Sequence, residues 1–239
     1  MTINPETTVA ALAGRYPATV KVFQHYQVEF CCAGQRTIAQ TSEDAGIPYA
    51  DLAAELRQAA RATPTRLTWM DRPLSELTDH IVEAFHDPVR QELPRLRQAA
   101  TKLLGHAERR RGVWTIVNYE LGRFEMELTK QMSTEEAELF PLLERLTREP
   151  LEAQERAHLA VLRRQIDAFH QDTAYTSRLL RRITGGYEPP VNACGNVRAL
   201  YRGLAELEAL TRLHVHMEIN VLFPRAAALA LTVGVESQK

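Results

Sequence analysis

A motif that occurs twice constrains this chain more than any other feature. Gln131-x3-Glu135-x4-Phe140-Pro141 returns as His214-x3-Glu218-x4-Phe223-Pro224, 83 positions later (131 to 214). Upstream of each copy stands a matching pair, Phe85-His86 and Phe169-His170, 84 positions apart (85 to 169). Polar residues four apart fall on one face of a helix, so each copy describes a helix that points two side chains the same way. Two such helices, each preceded by one that carries a histidine, make a set of four able to surround one metal site. The copies differ at one ligand position, because His214 stands where the first copy has Gln131.

The hydrophobic period agrees with this count. Beyond residue 74 four long segments place apolar residues at three- and four-residue steps, and strand-like alternation is almost absent. The first, roughly 74 to 105, carries Leu74, Leu77, Ile81, Phe85, Val89, Leu93 and Leu96. The second, roughly 113 to 148, carries Val117, Leu121, Phe124 and Leu128, and its seam runs on into Gln131 and Glu135. The third, roughly 152 to 184, carries Leu159, Ile166, His170 and Leu180 and ends at Gly185-Gly186. The fourth, roughly 193 to 231, leads through Leu200, Leu204, Leu207 and Thr211 to His214 and Glu218. Four amphipathic helices with short connections predict an all-α fold, an antiparallel four-helix bundle.

The polar residues on these seams are the candidates for function. A carboxylate in a bundle core is costly unless it is paired or binds metal. His86, Glu135, His170, His214 and Glu218 offer imidazole nitrogen and carboxylate oxygen, a mixture suited to iron, manganese or zinc, and the two glutamates can bridge two ions. One buried histidine alone would mean little; three histidines and two glutamates in a repeated pattern predict a metal site. His216, two residues from His214, and His80, six before His86, are rotated off the ligand faces, and His106 and His158 have no patterned partner. Phe140 and Phe223 are expected to close the bundle end, and Pro141 and Pro224 to disturb the last turn or redirect the chain.

Residues 1–62 read as a small helical module, with helical segments at Val9–Leu12, Val20–Tyr26 and Ile47–Ala60 around a turn at Cys31-Cys32-Ala33-Gly34. A linker over 63–73 holds Pro64 and Pro73 and lacks periodicity. The bundle is expected over 74–239. Cys31 and Cys32 are either two small buried thiols or, in a turn that opens a helix, a pair whose thiolate form is favoured. Cys194 is expected to be inert. Three cysteines make no disulfide framework, which fits a reducing compartment. With 29 basic against 30 acidic residues, no broad attraction to nucleic acid or an anionic membrane is implied. No N-terminal leader pattern or bilayer-length apolar run is present, so a cytoplasmic location is expected.

These residues together resemble the RIC proteins, for repair of iron centres, which join a short Cys-Cys domain to a hemerythrin-like di-iron bundle. The resemblance runs through Phe30-Cys31-Cys32-Ala33-Gly34-Gln35, similar to the family's Cys-Cys-Gly-Gly signature with one Gly changed to Ala. It continues through Phe85-His86-Asp87 with Glu92-Leu93-Pro94, Glu135-x3-Leu139-Phe140-Pro141, His170, and His214-x3-Glu218-x2-Val221-Leu222-Phe223-Pro224-Arg225. It implies two iron ions, oxo- or hydroxo-bridged, held by His86, His170 and His214 with Glu135 and Glu218 as bridging carboxylates, and a functional role for Cys31 and Cys32. It implies a stress protein that restores iron-sulfur clusters damaged by nitric oxide or oxidants, with iron-sulfur proteins as targets and a homodimer as the assembly. Binding, sensing or reduction of nitric oxide or oxygen, or a paralogue with a degenerate site, are the alternatives. The family has a fourth histidine at Gln131 and usually an acidic residue at Phe169. Glutamine oxygen is a weak neutral ligand, so the second ion is expected to bind more weakly than the first unless water or Glu127 fills the gap.

Overall fold

The computed structural model describes residues 3–26, 28, 30, 34–62, 69–105 and 111–236. In chain order the helices are α1 (Val9–Arg15), α2 (Val20–His25), α3 (Ile38–Ala45), α4 (Tyr49–Ala62), α5 (Leu74–Ile81), α6 (Asp87–Leu104), α7 (Arg111–Thr134), α8 (Phe140–Leu146), α9 (Ala153–Ile183), α10 (Gly195–Met217) and α11 (Phe223–Glu236). Among the described residues the only extended pairing is one antiparallel bridge, Thr8 to Thr37. The all-α expectation therefore holds. No helix among them is long and apolar enough to cross a membrane.

The chain forms two compact units. The bundle unit spans residues 80–145 and 151–211, and the N-terminal unit spans 1–79, 146–150 and 212–239. In the bundle unit, α6, α7, α9 and the first part of α10 bury one core, including Leu93, Leu96, Trp114, Leu121, Phe124, Leu180, Tyr201 and Leu204. Trp114 and Tyr201 meet with ring centroids 5.9 Å apart. A capping box of Glu152 and Glu155 opens α9. Past its end the backbone turns through positive φ at Gly185, Gly186 and Tyr187, where the two glycines pay no Cβ penalty. In the N-terminal unit, Val9, Phe23, Phe30, Ile38, Leu52 and Leu56 share a core with Val215.

Three of the long helices widen into a π turn at the repeated motif. The π segments are Val82–His86, Glu135–Leu139 and Glu218–Leu222. Each closes with a bond five residues long: Asp87 N–H to Val82 O, Phe140 N–H to Glu135 O and Phe223 N–H to Glu218 O. Each also lies two residues before a proline, Pro88, Pro141 or Pro224. Proline lacks the N–H for an i→i−4 bond, and its ring clashes with that carbonyl; a wider turn removes the conflict. Of the two outcomes expected of Pro141 and Pro224, the turn before each is disturbed and the chain is not redirected, for the helices run on into α8 and α11. A proline alone does not suffice, since Pro94 lies inside α6 without such a turn, while α9 has no internal proline and runs 31 residues as regular helix.

Sequence periodicity also passed over α3. Its signals are local: Thr37 accepts from the Gln40 N–H at 3.2 Å, Gln40 Oε1 accepts from the Thr37 N–H at 3.0 Å, and Gly46 ends the helix at φ 65.

Candidate metal centre

The π turns carry ligands. His86 ends the first, and Glu135 and Glu218 begin the other two, each four residues after Gln131 and His214 respectively. All of the sequence-predicted residues with described side chains are buried: His86, Gln131, Glu135 and Glu218 are fully enclosed, and His170 and His214 nearly so.

In the bundle unit, His86 and Glu135 meet at 3.0 Å, Nε2 to Oε2. Ligating atoms of Glu135 and His170 lie within 4.8 Å of each other. His86 is oriented from behind. Its Nδ1 lies 2.5 Å from Glu136 Oε1, and Arg90 donates to the same oxygen at 2.7 Å. Burial pushes the Glu136 carboxyl upward, but the His86 and Arg90 contacts outweigh it, and the net shift is below the ordinary carboxylate value. An ionised Glu136 can accept the Nδ1 proton, the arrangement in which Nε2 would offer its lone pair to an ion held between it and Glu135. Phe140 stacks on the His86 ring, centroids 5.9 Å apart at 15°. The sequence reading missed Glu136 and Arg90. The signal was present in the adjacent Glu135-Glu136 and in Arg90 one turn beyond His86.

Gln131 takes a different part. Its Nε2 donates to Glu135 Oε1 at 2.7 Å. The reverse orientation would set amide oxygen against carboxylate oxygen, so the amide nitrogen is the atom turned toward Glu135 Oε1. Glu127, considered as a substitute ligand, accepts from Arg123 at 2.9 Å. At the other departure from the family pattern, the Lys130 ammonium lies 5.5 Å from the Phe169 ring centre.

In the N-terminal unit, His214 Nε2 and Glu218 Oε2 are 3.6 Å apart across one turn. His216 faces the other way, as its spacing predicts. Its ring meets Phe30 edge-on at 5.6 Å and its Nδ1 pairs with Asn220 at 3.0 Å. Burial depresses its pKa to about 4, against a smaller upward effect of the Phe30 backbone, so the ring is neutral near pH 7. His158 is exposed beside Glu138, and Cys194 is exposed and free. Cys31 and Cys32 lie outside the described residues, as does His106.

The chemistry of this donor set fits a first-row transition metal. Two imidazoles and a fully enclosed carboxylate in the bundle unit, and an imidazole with a second enclosed carboxylate in the N-terminal unit, match the nitrogen and oxygen donors such ions take. A buried carboxylate also needs a positive counterpart to offset its desolvation, which a cation supplies.

Comparison with known proteins agrees. Residues 77–226 match the hemerythrin HHE cation binding domain, and residues 5–60 match ScdA_N, a domain of unknown function. The iron-sulfur cluster repair protein YtfE of Citrobacter koseri is 31% identical over 218 residues, 91% of this chain and 94% of its own length. The proteins of the same name from Yersinia pseudotuberculosis and Pectobacterium atrosepticum are 31% and 29% identical, each over 92% of this chain and 96% of its own. With a cation-binding family matched over more than half its length and such relatives over nearly all of it, the chain belongs to the hemerythrin-like RIC family.

Proposed function

We propose that this protein binds iron and serves in the repair of iron-sulfur clusters damaged by nitric oxide or oxidants; its relatives' names print iron-sulfur cluster repair. The proposed ligands are His86, Glu135, His170, His214 and Glu218, with residues 1–62 as the Cys-Cys module and 74–239 as the bundle. The observation that carries this reading is Glu135, a fully buried carboxylate within ligand reach of both His86 and His170. Bound iron supplies a reversible ferrous–ferric couple and an electrophilic site for small ligands. The chain's own residues do the rest. Glu136, held by Arg90, keeps the His86 proton on Nδ1; Phe140 covers the ring; and Gln131 keeps one oxygen of Glu135 in a hydrogen bond.

That last contact supports a labile second ion. A ferrous ion leaving such a site is cargo, delivered to a cluster protein with no change of oxidation state. The test is transfer: the iron-loaded protein is mixed anaerobically with an apo-cluster enzyme and reactivation is timed. Reactivation faster than with equal free ferrous iron is expected, and equal rates would overturn the reading. Gln131 also favours a second reading. Position 131 offers an N–H where the other copy of the motif offers a lone pair, and an N–H can support a diatomic ligand at the metal. A nitrosyl spectrum from the reduced protein, without faster cluster repair, would select it.

A further inference from the structure

The two copies of the motif differ at a second place, behind their histidines. The step that carries His86 to His170 carries Arg90 to Ala174, and the step that carries Glu135 to Glu218 carries Glu136 to Ile219. One copy holds a guanidinium and a carboxylate where the other holds two apolar side chains. In the bundle unit the charged pair is assembled on His86. Glu136 Oε1 lies 2.5 Å from His86 Nδ1, and Arg90 donates to the same oxygen at 2.7 Å while its other terminal nitrogen reaches Asp87 at 3.4 Å. Ile219, by contrast, packs against the core of the N-terminal unit. The His86 ring is fully enclosed, so Glu136 and not bulk water meets its Nδ1. Glu135 is divided in the same sense: its Oε2 faces His86 Nε2 at 3.0 Å, and its Oε1 accepts from Gln131 Nε2 at 2.7 Å. An ion beside His86 meets a ring held at its far nitrogen and the carboxylate oxygen that Gln131 does not engage, whereas an ion drawing on Oε1 competes with an N–H.

We propose that Glu136 and Arg90 are positioning residues that make the ion beside His86 the firmly held one, and that the ion on the Oε1 side of Glu135 is the one that leaves. The assignment rests on the iron-binding reading and adds which ion is the cargo. A hydrogen bond to the second nitrogen of a ligating histidine fixes the orientation of the ring and raises its basicity as a ligand. Arg90 fixes the carboxylate in turn, so a rotation of Glu136 away from His86 breaks two contacts. Both side chains are partly exposed, 38% for Arg90 and 32% for Glu136, and an ion pair this near solvent contributes little to fold stability. The pair therefore acts on the ion and not on the fold.

The test is chelation of the full-length protein after anaerobic loading with ferrous iron, with iron counted before and after and Mössbauer spectra recorded on what remains. One iron per chain is expected to survive in the wild type. In Glu136→Leu that ion should be bound about ten- to a hundred-fold more weakly, the scale on which groups behind a ligating histidine act, and its spectrum should change. Arg90→Met should move both in the same direction by less, and Glu136→Gln, whose amide oxygen still accepts from Nδ1, should restore part of the affinity. Glu138→Leu is the control: its carboxylate lies in the same π turn but is exposed beside His158, and retention and spectrum should match the wild type. A folded Glu136→Leu or Arg90→Met protein that keeps the chelator-resistant iron with an unchanged spectrum overturns the assignment, as does an equal loss in Glu138→Leu. Chelator-resistant iron that survives His86→Ala overturns it too, and two irons surviving in the wild type overturn the division between the ions. Wild-type protein that takes up no iron overturns the iron-binding reading itself.

Discussion

Gln131 and His214 occupy equivalent positions with opposite chemistry. An imidazole at position 131 would present a lone pair; the amide instead presents an N–H, and Glu135 Oε1 accepts it at 2.7 Å. One oxygen of Glu135 is thereby drawn from metal binding. The expected outcome is one firmly held ion per chain and a second that chelator removes. Gln131→His should strengthen the second ion by about ten- to a hundred-fold, the scale on which groups around a ligand tune affinity. Metal-to-protein ratios after chelation, with the absorption of a bridged di-iron centre appearing only in the variant, check this; two ions surviving chelation in the wild type would contradict it. The vacancy itself was legible from the repeat, since one copy reports on the other. What Gln131 does instead was not, because an amide can donate or accept and only the partner's position decides.

The three π turns belong to the scale of the element. They coincide with the ligand motif because the same short stretch holds a ligand and, shortly after it, a proline. Periodicity read in steps of three and four places His86, Glu135 and Glu218 on the right helices but gives no sign of a widened turn, since one extra residue per turn is lost within a long apolar pattern. The prolines were the available signal, and they suggest a helix end as readily as a bulge. If Pro141 selects the π turn, Pro141→Ala restores the missing N–H and lets the helix tighten. Melting should then rise, because proline in a helix interior costs about 3 kcal/mol relative to alanine. Metal affinity should fall, because Glu135 at the head of the turn is rotated from its place. Calorimetry with metal titration separates the two, and a variant that gains stability with unchanged affinity would show that the π turn does not position Glu135. The end of α9 gives a second test. Burial, and then the charge of Glu208, raise the Tyr187 phenol above its usual 10.0. The unfolded chain ionises there first, so it binds fewer protons than the native state once pH exceeds about 10, and stability falls as pH rises, by about 1.4 kcal/mol per pH unit for one group. In Tyr187→Phe the fall in urea midpoint between pH 9 and 11 should be smaller; an identical fall would remove Tyr187 from the balance.

At the scale of the whole molecule, the unit that contains the N-terminal helices is not continuous in sequence. Val215 lies in one core with Phe23, Phe30, Leu52 and Leu56, and Leu213 and Ile219 pack against it. Composition could not show this. Residues 1–62 look like a small module because their apolar content is modest and a proline-bearing stretch follows, while residues 212–222 look like the continuation of a bundle helix because the stripe of Leu200, Leu204 and Leu207 leads into them. Both readings are local, and the core that joins them gathers residues more than 150 positions apart (Leu52 and Val215). The consequence is measurable. Val215 is about as buried as the core it joins, so Val215→Ala should cost on the order of 2 kcal/mol through lost transfer energy and the cavity left behind. If the unit opens as one, the loss appears as faster amide exchange at Phe23, Phe30, Leu52 and Leu56, far away in sequence. Val161→Ala, at an exposed position of α9 in the bundle unit, should leave those amides unchanged. Were exchange in Val215→Ala to quicken only around residues 212–222, the N-terminal helices would be a self-sufficient fold, and Val215 would be a cover on their core and not a part of it.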